Sequence, residues 1–202
     1  VQPSYQFIKA LLNNEKGLHI DKDHFMTISP DEGSMNRAIY LANVLGVDMG
    51  MYYKRLDYSR YVNGRHPIAA YEFLGPKIEG KDMILIDDMI SSGDTIIKIA
   101  SLLKEKGAGR VYICSTFGFF TDGLDKFDDA YKKGYFDKLL TTNLVYQSPE
   151  LLEKPYYISC DMSKYIALII DTLNHDNSVS HLLNPVDRIK RCVTNYMSEH
   201  EK

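Results

Sequence analysis

Apolar positions along this 202-residue chain fall into short blocks whose spacing switches between two periods. Behind Pro3 and Ser4, the residues Tyr5, Ile8, Leu11 and Leu12 recur at helical spacing, the order of a helix start. Residues 24–29 (His-Phe-Met-Thr-Ile-Ser) read as a strand that stops at Pro30-Asp31-Glu32-Gly33. The next block predicts a helix with Ala38, Leu41, Ala42 and Leu45 on one face and Gly46 as its stop. Residues 48–53 predict a second strand. From 54 to about 76 no period is sustained, and Asn63-Gly64-Arg65-His66-Pro67 interrupts any element, so a long functional loop is expected there. Residues 83–87 (Met-Ile-Leu-Ile-Asp) form the near-continuous apolar run of a strand covered on both faces. Residues 88–92 then predict a loop. Ile96, Ile99, Leu102 and Leu103 predict a helix closed by Gly107-Ala108-Gly109. Residues 111–116 predict another apolar strand, 138–142 and 156–160 two shorter ones, and helices are expected within 124–133 and 161–174. The last stretch, 184–202, reads as a helical tail, and the mixed charges of 187–202 imply a solvated face.

Strands alternating with helices at this spacing predict an α/β fold, a mostly parallel β-sheet flanked by helices, occupying residues 1–202 as a single domain. Ligands on such sheets bind at the carboxyl ends of strands. The residues expected at those ends are Asp31, Lys54, Asp87 and Thr142.

Composition narrows the setting. Apolar residues make up 45% and charged residues 25%, enough to bury a full core without disulfide or metal staples. With a net charge of −3 and no concentrated Lys/Arg stretch, nucleic acid is not an expected partner. No apolar run reaches the ~20 residues of a membrane span, and the first residues lack the order of a signal peptide. Cys114, Cys160 and Cys192 have neither metal-site nor redox-motif spacing and read as inert thiols in a reducing cytoplasm.

The candidate chemistry lies where the 83–87 strand ends. Asp87 and Asp88 are adjacent carboxylates, and Ser91-Ser92-Gly93-Asp94-Thr95 opens the following helix. Free N–H groups at a helix start, with hydroxyls from Ser91, Ser92 and Thr95, suit a phosphate dianion. Gly93 removes a Cβ from the approach. Carboxylates one loop-width away can accept hydrogen bonds from vicinal ribose hydroxyls, and one of them can face a divalent metal. A plain helix cap would ask for Ser91 or Ser92 but not for the acidic pair upstream.

This stretch resembles the phosphoribosyl-pyrophosphate signature of the type I phosphoribosyltransferase fold, and the nearer match is the ribose-phosphate pyrophosphokinase (phosphoribosyl-pyrophosphate synthetase) family. Ser29-Pro30-Asp31-Glu32-Gly33-Ser34-Met35-Asn36-Arg37-Ala38 resembles that family's Ser-Pro-Asp-x-Gly-Gly-x-x-Arg-Ala. The resemblance implies a diphosphate loop of Asp31, Glu32, Gly33 and Ser34, with Asp31 linked to Mg²⁺. A turn rich in N–H groups that holds one carboxylate suits a magnesium–diphosphate pair. Tyr53-Lys54-Arg55-Leu56 resembles the Lys-Arg-Arg that opens the family's flexible catalytic loop, which makes Lys54 the cation on the transferring group and residues 55–74 a mobile lid. Thr141-Thr142-Asn143, Asp161-Met162-Ser163 and Asn177-Ser178-Val179-Ser180-His181-Leu182-Leu183 resemble segments of the same family's second half, so the likeness runs from about residue 3 to 183.

What the resemblance implies is an ATP:ribose-5-phosphate diphosphotransferase using Mg²⁺, with Asp87, Asp88, Ser91, Ser92, Gly93, Asp94 and Thr95 on ribose 5-phosphate, in a cytoplasmic homo-oligomer. Two departures stand out: Leu56 replaces the second arginine, and Asp94 stands where the family has Gly. The family's first domain, with its Asp-Leu-His segment, has no counterpart, and the chain opens on Val1. The expectation is therefore a fragment, the second half of a two-domain synthetase. A phosphoribosyltransferase using the same loop, and a synthetase-like regulatory subunit without turnover, remain as alternatives.

Overall fold

Alternating apolar strands and amphipathic helices assemble around one sheet in a computed structural model that describes residues 3–61, 64, 66 and 68–200. In chain order the elements are α1 (Ser4–Asn14), β1 (Phe25–Ser29), a 3₁₀ turn (Glu32–Ser34), α2 (Met35–Leu45), β2 (Asp48–Leu56) and β3 (Ile68–Leu74). They continue with β4 (Asp82–Ile90), α3 (Asp94–Glu105), β5 (Val111–Gly118), α4 (Asp125–Lys132), β6 (Lys138–Thr142) and α5 (Pro149–Leu152). The last are β7 (Tyr157–Cys160), α6 (Ser163–Asn174), α7 (Ser180–Leu183) and α8 (Val186–His200). The seven strands lie in the order β3-β2-β1-β4-β5-β6-β7, parallel throughout except for β3, which runs antiparallel to β2 at the edge.

Strand alternation divides the core between the two faces of the sheet. Met83, Leu85, Val111, Ile113 and Leu139 pack with Ile96, Ile99, Leu103, Phe127 and Ala130 of α3 and α4. Ile84, Ile86, Tyr112, Cys114 and Leu140 pack on the other face with α1, α2 and α8, through Phe7, Leu11, Ala38, Leu41 and Ile189. Both clusters meet every central strand, as the continuous apolar runs required. Gly46 ends α2 in the left-handed region, as its position in the sequence predicted.

Three expectations need correction. The stretch 54–76 is not a long loop, because β2 continues to Leu56 and Ile68–Leu74 pairs with it as β3. Within the expected lid, Val62, Asn63, Arg65 and Pro67 lie outside the described residues. The β4 strand does not stop at Asp87: it continues to Ile90, because Met89 and Ile90 pair with Phe117 and Gly118. Asp88 is thus a strand residue rather than a loop residue. The tail is helical, but α8 is not simply a solvated face, since Ile189 and Tyr196 are buried. The Tyr196 hydroxyl donates to the Glu15 carbonyl and accepts from the Leu18 N–H, fastening α8 to the end of α1.

Cys114 and Cys160 are buried, Cys192 is half-buried, and all three are free thiols. Burial holds the Cys114 thiol well above its ordinary range and pushes Cys160 up to about 12, so both stay protonated and unreactive at neutral pH. No helix among the described residues is long and apolar enough to cross a membrane.

Candidate functional site

The carboxyl ends of β1 and β4 stand side by side, and the segments leaving them enclose one cavity of about 380 Å³. Its wall consists of Asp31, Gly33 and Ser34 from the turn after β1, Asp87 to Ile90 from the end of β4, and Ser91, Ser92, Gly93, Thr95 and Ile96 at the start of α3.

The turn after β1 is built by its own side chains. Asp31 is extended and accepts the Gly33 N–H at 3.1 Å, while the Ser29 hydroxyl donates to the Asp31 carbonyl at 2.6 Å. This starts the 3₁₀ turn and brings the buried Ser34 hydroxyl 2.5 Å from Asp87 Oδ1, to which it donates. Lys54, from β2, donates to Asp31 Oδ2 at 3.0 Å.

Adjacent strand residues send their side chains to opposite faces, and this separates the two β4 carboxylates. Asp87 takes the Ser34 hydroxyl and the Asp88 N–H, the latter at 2.8 Å. Asp88 takes the Arg37 guanidinium of α2 at 3.2 Å. Burial, together with the charges of Asp31 and Asp88, raises the Asp87 carboxyl above the usual range despite those two hydrogen bonds. A second cavity of about 730 Å³ borders Asp87 and Asp88 as well, lined by Phe7, Tyr40, Ile86, Phe117, Leu144 and Ile166 among others.

At the start of α3 neither serine is the helix cap. The capping position is Gly93, with φ +83° and no side-chain cap of its own, and the Ser92 hydroxyl accepts the Asp94 N–H of the first turn at 3.4 Å. The packing adds a reason for the glycine. A Cβ there would sit 2.3 Å from Phe127 Cζ, so the excluded volume belongs to the Phe127 ring as well as to any ligand. The Asp94 carboxylate does not line the cavity: it accepts from the Ser92 hydroxyl at 2.9 Å and from Lys126 Nζ at 2.8 Å. These two donors hold its pKa below the usual carboxylate range.

The structure therefore gathers Asp31, Gly33, Ser34, Asp87, Asp88, Ser91, Ser92, Gly93 and Thr95 around one space. Lys54 reaches that space through Asp31. Glu32 and Asp94 do not line it, nor does Thr142, whose buried hydroxyl donates to the Thr116 carbonyl. Arg55 is paired with Glu72 at 2.8 Å and Arg60 with Asp57 at 3.6 Å, and neither lines the cavity. Two charged residues went unassigned in the sequence, Arg37 and Lys126. Arg37 lies within the motif at residues 29–38, and Lys126 stands four residues after Asp122, which precedes α4, so the pair does not lie on one helix face.

For a magnesium ion the donor chemistry fits. No group of three His, Cys, Asp or Glu side chains suited to a metal occurs among the described residues. Mg²⁺ takes one or two carboxylates and completes its shell with substrate phosphates and water, and Asp31 on the cavity wall offers such a ligand.

The sequence profile of the phosphoribosyl synthetase-associated domain matches residues 65–184. Among curated proteins, a ribose-phosphate pyrophosphokinase of Vibrio parahaemolyticus is 29% identical over 163 residues, covering 80% of this chain and 49% of its own length. One from Thermococcus kodakarensis is 31% identical over 121 residues, covering 59% of this chain and 39% of its own length. The chain thus spans about half the length of the first of these relatives, or less in the second. Among solved structures, a phosphoribosylpyrophosphate synthetase from Mycobacterium smegmatis superposes with a TM-score of 0.66 at 21% identity over 86% of this chain and 51% of that one, a likeness of fold. With the matched profile spanning more than half of the residues, this chain belongs to the phosphoribosyl synthetase-associated domain family.

Proposed function

We propose that this chain forms the sugar-phosphate and diphosphate half of a ribose-phosphate diphosphokinase, which transfers the diphosphate of Mg·ATP to ribose 5-phosphate and yields phosphoribosyl pyrophosphate and AMP. The observation that carries this reading is the convergence of the Asp31 turn, the Asp87–Asp88 pair and the 91–95 turn on one cavity.

The 5-phosphate sits on the first-turn N–H groups of α3 and the hydroxyls of Ser91, Ser92 and Thr95. Asp87 and Asp88 accept the ribose hydroxyls, with Ser34 and Arg37 fixing their orientation. The anomeric hydroxyl then attacks the β-phosphorus in line and AMP departs. Lys54 stabilises the charge that develops on the transferred group and is already held at the cavity by Asp31. Asp31 would hold a Mg²⁺ ion together with diphosphate oxygens; when bound, the ion neutralises phosphate charge and aligns the groups. Because Lys54 occupies one Asp31 oxygen, metal and lysine share this carboxylate.

The reading also includes a preceding domain that supplies the adenine pocket, assembly into homo-oligomers and a cytoplasmic setting. The half-length coverage of the Vibrio relative supports the first, and the three free thiols suit the last. Titration calorimetry with ribose 5-phosphate tests the core of the reading. The doubly substituted Asp87→Asn, Asp88→Asn chain should bind more weakly by roughly 2–4 kcal/mol, since two charged acceptors are lost together. Unchanged affinity would remove the ribose assignment.

A further inference from the structure

The wall of the smaller cavity is acidic. It contains Asp31, Asp87 and Asp88 and, among the described residues, no lysine or arginine. Lys54 offsets Asp31, and Arg37 offsets Asp88, both at the end formed by the Asp31 turn and β4. The 91–95 turn has no such partner in the wall, and its own Asp94 adds a fourth carboxylate at the first residue of α3. A phosphate dianion approaching that turn would meet like charge at short range, where it costs most.

Around the same turn, side chains close a ring of hydrogen bonds. Ser91 Oγ lies 3.2 Å from Thr121 Oγ1, which donates to Asp122 Oδ1 at 3.3 Å. Lys126 Nζ bridges Asp122 Oδ2 at 3.0 Å and Asp94 Oδ1 at 2.8 Å, and Asp94 Oδ2 accepts from Ser92 Oγ at 2.9 Å. The Thr121 N–H also donates to the Ser91 carbonyl at 3.0 Å. The segment leading into α4 thus holds both serines of the turn, and Lys126 is the one cation in the ring.

We propose that Lys126 is a positioning residue for a sugar-phosphate dianion: it turns the Asp94 carboxylate outward along α3 and cancels its charge beside the turn. This inference rests on the sugar-phosphate reading of the 91–95 turn. Lys126 acts through Asp94 rather than by touching the ligand. It explains how an aspartate is accommodated at a position where a glycine would leave no charge. As an exposed pair, Lys126–Asp94 adds little to folding stability, so its effect appears in ligand affinity.

The experiment measures ribose 5-phosphate and ribose binding by calorimetry at low ionic strength on the full chain and its variants. Lys126→Met should weaken ribose 5-phosphate binding about tenfold, leave unphosphorylated ribose binding unchanged, and melt at the same temperature as the unaltered chain. Lys126→Arg should restore affinity to within about threefold. In an Asp94→Asn background, Lys126→Met should cost less than about threefold, because the charge it cancels is gone. Equal affinities for Lys126→Met and the unaltered chain, or an equal loss with Asp94→Asn present, would overturn the proposal while Asp87 and Asp88 remained a valid site. An unaltered chain that fails to bind ribose 5-phosphate would overturn the sugar-phosphate reading, and this inference with it.

Discussion

Asp87 shows how a binding group strains the fold that carries it. Its carboxyl is largely buried, shares its surroundings with the charges of Asp31 and Asp88, and has its pKa raised above the unfolded value of 3.8. An acid whose folded pKa is raised favours the folded state while protonated, and that contribution is lost as pH rises through the folded pKa. At pH 7 Asp87 is therefore a net cost to stability, offset in part by the Ser34 hydroxyl and the Asp88 N–H. Asp87→Asn keeps an acceptor for Ser34 and removes the charge. We expect it to raise the melting temperature at pH 7 by about 2 °C, with the gain shrinking as pH falls below the folded pKa toward 3. Thermal melts across that range check the sign: a gain that grows on acidification would contradict this account. Arg37 and Lys54 belong to the same balance, each offsetting a carboxylate that function would keep and stability alone would not.

Among elements, the α3 start shows why a site residue can have two reasons to exist. Gly93 adopts φ +83°, and Phe127 of α4 fills the place its Cβ would take. Gly93→Ala should cost about 2–3 kcal/mol through left-handed strain and overlap with the ring. Adding Phe127→Leu should recover part of that loss in denaturant melts, and a strictly additive double variant would show that the ring is not the obstacle. The glycine was legible in the sequence as part of a phosphate turn, but Phe127 was not, because a contact between residues 93 and 127 leaves no local pattern. The same limit explains the other misreadings. Along β3 the apolar residues of Ala-Ala-Tyr-Glu-Phe-Leu do not alternate cleanly, since an edge strand has half-buried and exposed positions on both faces. Its pairing with β2, and the Arg55–Glu72 bridge across it, come from tertiary contact. β4 outran its apolar run because backbone pairing with β5 continues where the side chains turn acidic. The central strands and their helices were readable because burial on both faces writes unbroken apolar runs, and the site was readable because its residues are contiguous in two short turns.

At the scale of the molecule, the proposed reading gives the described cavity a small, phosphorylated sugar rather than a nucleotide. Its volume is about 380 Å³, and its wall holds carboxylates, hydroxyls, backbone and the aliphatic Met89, Ile90 and Ile96, with no aromatic ring among the described residues on which an adenine could stack. Bases bound by proteins are commonly held by stacking, so the adenine of ATP needs a surface that this cavity does not provide. The Vibrio relative, of which this chain spans 49%, has as much sequence again in which such a surface can reside. The chain on its own is therefore expected to bind ribose 5-phosphate in calorimetry, with affinity lost in the Asp87→Asn, Asp88→Asn variant, yet to form no AMP when incubated with ATP, Mg²⁺ and ribose 5-phosphate. Mixing it with the first half of a ribose-phosphate pyrophosphokinase should be necessary for turnover. Turnover in that mixture should fall at least about a hundredfold with Lys54→Ala, because the cation acts on charge that develops only in the transition state. AMP released by the chain alone, at a rate abolished by Lys54→Ala, would show instead that these 202 residues hold a complete active site, with the larger cavity beside Asp88, lined by Phe7, Tyr40 and Phe117, as the place to look for the nucleotide.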